Sequence, residues 1–272
     1  MPHIPALKYA RGLPTGPACY LCGAAAPRPA LKNLGRYLLF LISVFRNPEK
    51  FKTYPPLVVE EMDRIGIDSV FIVSIVSFSI GAVTAIQTAA NLVSPFVPTW
   101  TISLIVRDMT ILELCTTFTC VILAGKVGSN IAGNLGTMRI TEQIDALEVM
   151  GINSASYLVL PKILAALVMF PMLVVLSAFL SLLGGYMAAT LTGAMTDYQY
   201  VYGIRYGFIP YNILFALIKA VVFGFLITSI SAYRGYITQG GSLEVGQNST
   251  KAVVNSCIAI LISDYLLAQL LL

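Results

Sequence analysis

No charged side chain occurs between Asp68 and Arg107, and none between Lys162 and Asp197. Within each interval the apolar run exceeds the roughly 20 residues that cross about 30 Å of hydrocarbon at 1.5 Å per residue. In lipid every backbone N–H and C=O must be satisfied inside the protein, which leaves helices or closed barrels; continuous rather than alternating hydrophobicity selects helices. The composition agrees: 57% of the 272 residues are apolar and 11% charged, against about 45–50% and about 25% in soluble domains. An ordinary water-soluble enzyme is excluded.

Five spans are predicted, over 70–93, 110–132, 157–191, 212–233 and 252–272. The third is longer than a bilayer is thick, so it tilts or projects. Ahead of them, Leu31, Leu34, Leu38, Leu41, Ile42 and Phe45 recur at helical spacing among Lys32, Arg36 and Arg46, which predicts an amphipathic helix in the membrane interface. Residues 1–30 contain six prolines and no signal-peptide core, and read as a cytoplasmic extension without order. The chain therefore divides into 1–30, an interfacial segment 31–66, and a five-span body 67–272. The expected fold class is an all-α integral membrane protein with an interfacial helix, five transmembrane helices and a short cytoplasmic helix between spans two and three.

The net charge of +4 does not point to nucleic acid, because the charges flank the apolar runs. Nine of the 17 Lys and Arg fall in residues 1–66, five more lie at 126, 139, 162, 234 and 251, and the opposite loops hold only Arg107 and Arg205. The positive-inside rule then places the N-terminus in the cytoplasm and the C-terminus outside. Cys19 and Cys22 form a lone CxxC, and the only histidine is His3. A zinc site takes about four ligands, so two incidental thiols are the simpler reading and no metal is expected. No Gly-x4-Gly-Lys-Ser/Thr occurs, so this chain does not bind ATP through a P-loop. No nucleophile-elbow or HExxH motif occurs either.

The loop between spans two and three is the most informative segment. Over 141–151, Thr141 is placed as N-cap, Glu142 in the first turn and Gly151 as C-cap. Ile144, Leu147 and Met150 form an apolar stripe, while Glu142, Asp145 and Glu148 form an acidic one. A surface helix of this kind suits docking into a groove on a soluble partner, or it merely turns its acids to water.

The run AGKVGSNIAGNLGTMRITEQIDALEVMGI (124–152) with Leu158-Val-Leu-Pro161 closely resembles the signature of the MlaE family, permease subunits of lipid ABC transporters tied to MCE proteins. Ala216 to Phe223, and Tyr236 to Asp264 with Gly240-Gly241 and Val245-Gly246, look like the same family. Asn130 and Asn134 depart from it, standing where Ala and Glu are more usual. The resemblance implies a homodimer with two ABC ATPase subunits inside, an MCE-type ring outside and phospholipid as cargo. ATP and Mg2+ would reside on the ATPase, with no cofactor in this chain. It also makes Glu142, Asp145, Leu147, Glu148, Met150 and Gly151 the candidate ATPase-coupling residues. A lipid near the subunit interface would be lined by Ile80, Val83, Ile86, Gln87 and Asn91. A passive scaffold for an MCE complex and an intramembrane lipid-modifying enzyme are the rival readings; the second lacks a nucleophile, base or ligand set.

Ionisable groups within spans cost at least about 2.5–3.5 kcal/mol each at mid-helix and default to functional hypotheses. Arg107, Asp108, Glu113, Lys219 and Asp264 qualify. Lys219 and Asp264 fall at matching depth and are expected to pair or share a polar cluster. Asp108 and Glu113 are expected on different faces, with Arg107 snorkelling to the interface. Gly81, Ala85 and Ala89 form a small-residue ridge that either packs a helix or admits an acyl chain.

Overall fold

A computed structural model describes residues 29–46, 54–92 and 98–271. The Cys19/Cys22 pair, His3, the extension before Pro29, the basic stretch 47–53 and the turn at Pro95 lie outside these residues. Among the described residues every regular element is helical. They are α1 (Pro29–Arg46), α2 (Tyr54–Asn91), α3 (Trp100–Ile140), α4 (Gln143–Val149), α5 (Ser154–Leu191), α6 (Asp197–Arg205), α7 (Tyr211–Tyr236) and α8 (Ser242–Leu271). Five of them, α2, α3, α5, α7 and α8, are long and apolar enough to cross a membrane, so the all-α membrane fold expected from composition and spacing is the fold observed.

The helices overrun the predicted spans. The helix that carries span one begins at Tyr54, so residues 54–66, the second part of the 31–66 segment, are the opening turns of α2. Hydropathy locates the apolar stretch only; a helix continues wherever its backbone bonds remain favourable. Span two likewise occupies Trp100–Ile140. Three stretches inside these helices, Asp63–Ile67, Thr110–Phe118 and Ala124–Gly128, take the wider π-helical turn.

The core forms because small residues let backbones approach. A β-carbon on Gly81 would sit 1.8 Å from the Ser181 carbonyl oxygen, and one on Gly184 would sit 2.2 Å from that of Phe78. The ridge of α2 is therefore used to seat α5 directly against it, with Ala85 buried in the same seam. This is the packing that replaces the hydrophobic effect between helices in lipid. Hydroxyls bridge the seam: Ser77 donates to Ser177 at 2.8 Å, and Ser177 and Thr119 are 2.8 Å apart. Near the N-terminal ends of the same two helices, Lys162 of α5 pairs with Glu61 of α2, both side chains largely buried. α7 packs against α5, α8 and α3. α8 contributes one face only, Ala252, Ser256 and Ile260 at i+4 intervals, with Asp264 next in that row.

Candidate functional site

The first feature is the buried ammonium of Lys219, whose side chain is 0% exposed. It forms an ion pair with Asp264 of α8 and donates to both carboxylate oxygens of Glu113 at 3.0 and 3.1 Å, and to the Leu112 carbonyl at 3.3 Å. The Phe215 ring centroid lies 5.0 Å from the ammonium. The matching depth of Lys219 and Asp264 thus becomes contact. Glu113 completes the group because the wider turn over Thr110–Phe118 brings Glu113 and Thr117 onto the side facing α7 and α8; such π segments recur at functional sites. Thr117 donates to Asp264 at 3.2 Å and lies 3.5 Å from Glu113. Two carboxylates against one ammonium make the cluster the most charged place inside the spans, and the Glu113 side chain leaves it 45% exposed.

Glu113 meets Lys219 while Asp108 meets Arg107, and Arg107 corrects its own expectation. Rather than snorkelling, its side chain is 3% exposed. Its Nη1 donates at 2.8 Å to the carbonyls of Ile204 and Tyr206, while Nε donates at 2.8 Å to Asp108. The guanidinium thereby satisfies the carbonyls left over at the C-terminal end of α6, where a cation is favoured. Arg107 and Asp108 form a clamp between α3 and α6, separate from the Lys219 group. α6 is held at its other end by Tyr200, 1% exposed, whose hydroxyl donates to the Leu182 carbonyl at 3.1 Å; burial pushes that phenol up to about 12.

The second feature is α4. Its C-terminal end follows the expectation: Gly151 adopts φ +79°, and its N–H and that of Ile152 bond to the carbonyls of Glu148 and Leu147 in a Schellman closure. Its N-terminal end does not. Thr141 closes the preceding helix α3, donating its hydroxyl to Thr137 at 2.8 Å, and Glu142 takes the cap position with φ +59°. The helix is thus shorter than 141–151. Ile144 is wholly buried and Leu147 half-buried, whereas Met150 is 65% and Val149 89% exposed. Two of the three acids engage within the chain. Asp145 pairs with Arg139 at 2.5 Å, and Glu148 accepts from Ser154 and Tyr236, each at 2.9 Å. Arg139, Ser154 and Tyr236 carried no sequence signal for this role, since their contacts join positions on different elements.

Val83, Ile86, Gln87 and Asn91 stand on the exposed side of α2, with Ile80 half-buried. Among the described residues no group of three or more His, Cys, Asp or Glu is placed to hold a metal ion.

A five-span helical body, a buried charge cluster between three spans and a short surface helix on the loop after span two define a polytopic helical membrane protein. Residues 58–270 match the family described as Permease MlaE. The chain is 34% identical to a probable ABC transporter permease protein of Rickettsia bellii over 88% of this chain and 92% of that one. It is also 34% identical to a probable ABC transporter permease protein of Synechocystis, over 78% and 81%. A more distant relative, 25% identical over 88% and 92%, is the intermembrane phospholipid transport system permease protein MlaE of Haemophilus influenzae. The chain belongs to the MlaE permease family, and is a multi-pass permease subunit of a transporter.

Proposed function

We propose that this chain is the membrane-spanning half of an ATP-driven phospholipid transporter in the cytoplasmic membrane. It forms a symmetric homodimer about an axis along the membrane normal, with two ABC ATPase subunits docked on α4 in the cytoplasm and an MCE-type ring on the outer side. The N-terminus lies inside and the C-terminus outside, as the Lys and Arg distribution argues. The phospholipid cargo follows the name borne by the Haemophilus relative.

The observation that carries the reading is the way α4 is presented. Buried Ile144 pins it to the body, its ends are closed by local backbone bonds, and Val149 and Met150 stand exposed at its C-terminal end. Two adjacent exposed apolar side chains on a helix outside the spans fit an apolar groove on a soluble partner. Closure of the ATPases on ATP would displace α4 and rearrange the spans. The exposed side of α2 supplies Val83 and Ile86 as apolar wall for acyl chains at the dimer interface, with the amides of Gln87 and Asn91 as polar points on the same side. Apolar walls discriminate weakly, so headgroup preference should rest on the few charged groups. Val149→Asp combined with Met150→Asp should abolish co-purification of the ATPase while leaving thermal unfolding of the permease unchanged. Full retention of the ATPase would refute docking through α4.

A further inference from the structure

Tyr236, the last residue of α7, is a meeting point of five helices. Its hydroxyl donates to Glu148 Oε1 of α4 at 2.9 Å, and Ser154, the first residue of α5, donates to the same oxygen at 2.9 Å. The two hydroxyls are themselves 2.9 Å apart. A carboxylate has lone pairs for both donors, so the three groups close a compact triangle with Ser154 buried at its base. The tyrosine ring lies 5.2 Å from that of Phe40 in α1, and the Arg139 guanidinium of α3 sits over it at 5.8 Å. Arg139 in turn holds Asp145 of α4.

This arrangement gives α4 a polar tie to the ends of two spans. The chain on either side of α4 turns through left-handed residues, Glu142 and Gly151, so α4 is not a rigid continuation of α3 or α5. Side-chain contacts therefore carry part of any displacement of α4 to its neighbours, beside the backbone bond from Glu142 N–H to the Arg139 carbonyl. α7 leaves Tyr236 as an uninterrupted helix packed against α3, α5 and α8, and it reaches Lys219 about 25 Å further along at 1.5 Å per residue. A buried, packed helix moves as a unit, which is the physical requirement for carrying a displacement that far.

We propose that Tyr236 is a positioning residue that couples α4 to the membrane spans. The Glu148–Tyr236–Ser154 triangle passes the displacement of α4 into α7, and α7 passes it to the Lys219 group. This rests on α4 being the helix that meets the ATPase, and it adds that Glu148 acts inward, on this chain, rather than as a docking charge.

The test uses the permease–ATPase complex reconstituted in vesicles of phosphatidylethanolamine and phosphatidylglycerol, with a fluorescent phospholipid tracer and ATP hydrolysis followed in the same samples. Tyr236→Phe keeps the ring and its stacking on Phe40 and Arg139 but loses the bond to Glu148. It should retain the ATPase yet move about five-fold less tracer per ATP hydrolysed, in the range of coupling losses from single contacts. Glu148→Ala should match it, Glu148→Gln, which keeps the acceptor oxygen, should restore the ratio, and the double variant Tyr236→Phe/Glu148→Ala should be no worse than either single. Tyr37→Phe is the structural control: it removes a comparable bond to Ser229 of α7, at 2.7 Å, with no tie to α4, and should leave the ratio unchanged. An unaltered ratio in Tyr236→Phe, an equal loss in Tyr37→Phe, or loss of the ATPase from Tyr236→Phe would each overturn the proposal. A wild-type complex that retains no ATPase would instead overturn the docking reading.

Discussion

Lys219 has no solvent to fall back on. Its ammonium is surrounded by Glu113, Asp264, the Leu112 carbonyl and the Phe215 ring, and Asp264, 18% exposed, depends on it more than Glu113, 45% exposed. Removing one partner of a buried pair strands the other, at a cost of about 3–5 kcal/mol, whereas replacing all partners by neutral groups is far milder. Lys219→Met should therefore lower the thermal unfolding temperature of the detergent-solubilised protein sharply, and adding Glu113→Gln and Asp264→Asn should recover most of the loss. A triple variant as unstable as the single would show that charge compensation is not what holds the cluster. Arg107 illustrates the same rule with a different outcome. Its charge is compensated by Asp108 and by carbonyls at the end of α6, so it fastens two elements instead of facing lipid.

Among the elements, the α2–α5 seam is the most exacting. Its closeness depends on having no side chain at Gly81, where an added β-carbon meets backbone that cannot rotate away. Gly81→Ala should destabilise the protein by about 1–3 kcal/mol, as overpacking does. Gly246 in α8 has nothing within 4 Å of its would-be β-carbon, so Gly246→Ala should be neutral or stabilising by up to about 1 kcal/mol through helix propensity. Denaturation of both variants in the same detergent checks the contrast; equal effects would mean the seam tolerates separation. α4 carries a different lesson. Its acids form a regular stripe on paper, yet Asp145 and Glu148 are satisfied by Arg139, Ser154 and Tyr236, so reversing all three charges would disturb the permease itself as well as any partner. Val149 and Met150 are the cleaner probes.

At the level of the whole molecule, the five spans found among the described residues would, in the orientation proposed above, send the two chain ends to opposite sides. Single cysteines placed near the N-terminus and at Leu270, in a background with Cys19, Cys22, Cys115, Cys120 and Cys257 replaced, should differ in labelling by a membrane-impermeant maleimide. In intact spheroplasts only the C-terminal site should react, and labelling of both or of the N-terminal site alone would reverse the assigned topology. The proposed orientation would put the Arg107–α6 clamp and the aromatic residues around it, Trp100, Tyr202 and Tyr206 with centroids 4.7–5.8 Å apart, at the outer interface, where such rings are favoured.

What the sequence determined by itself is what lipid imposes on a chain locally: the five helices, the depth of Lys219 against Asp264, the Gly151 closure of α4 and the family signature around it. Each depends on neighbouring residues and on the cost of exposing polar groups to hydrocarbon. Only the tertiary structure decided that Glu113 joins Lys219, that Arg107 turns inward to α6, that Thr141 ends α3 instead of starting α4, and that Glu148 meets Tyr236 and Ser154. Those outcomes depend on which helices pack together and on local changes of helical pitch, such as the wide turn at Thr110–Phe118. A one-residue change of pitch re-aims every side chain beyond it, and no periodicity in the sequence records where that change falls.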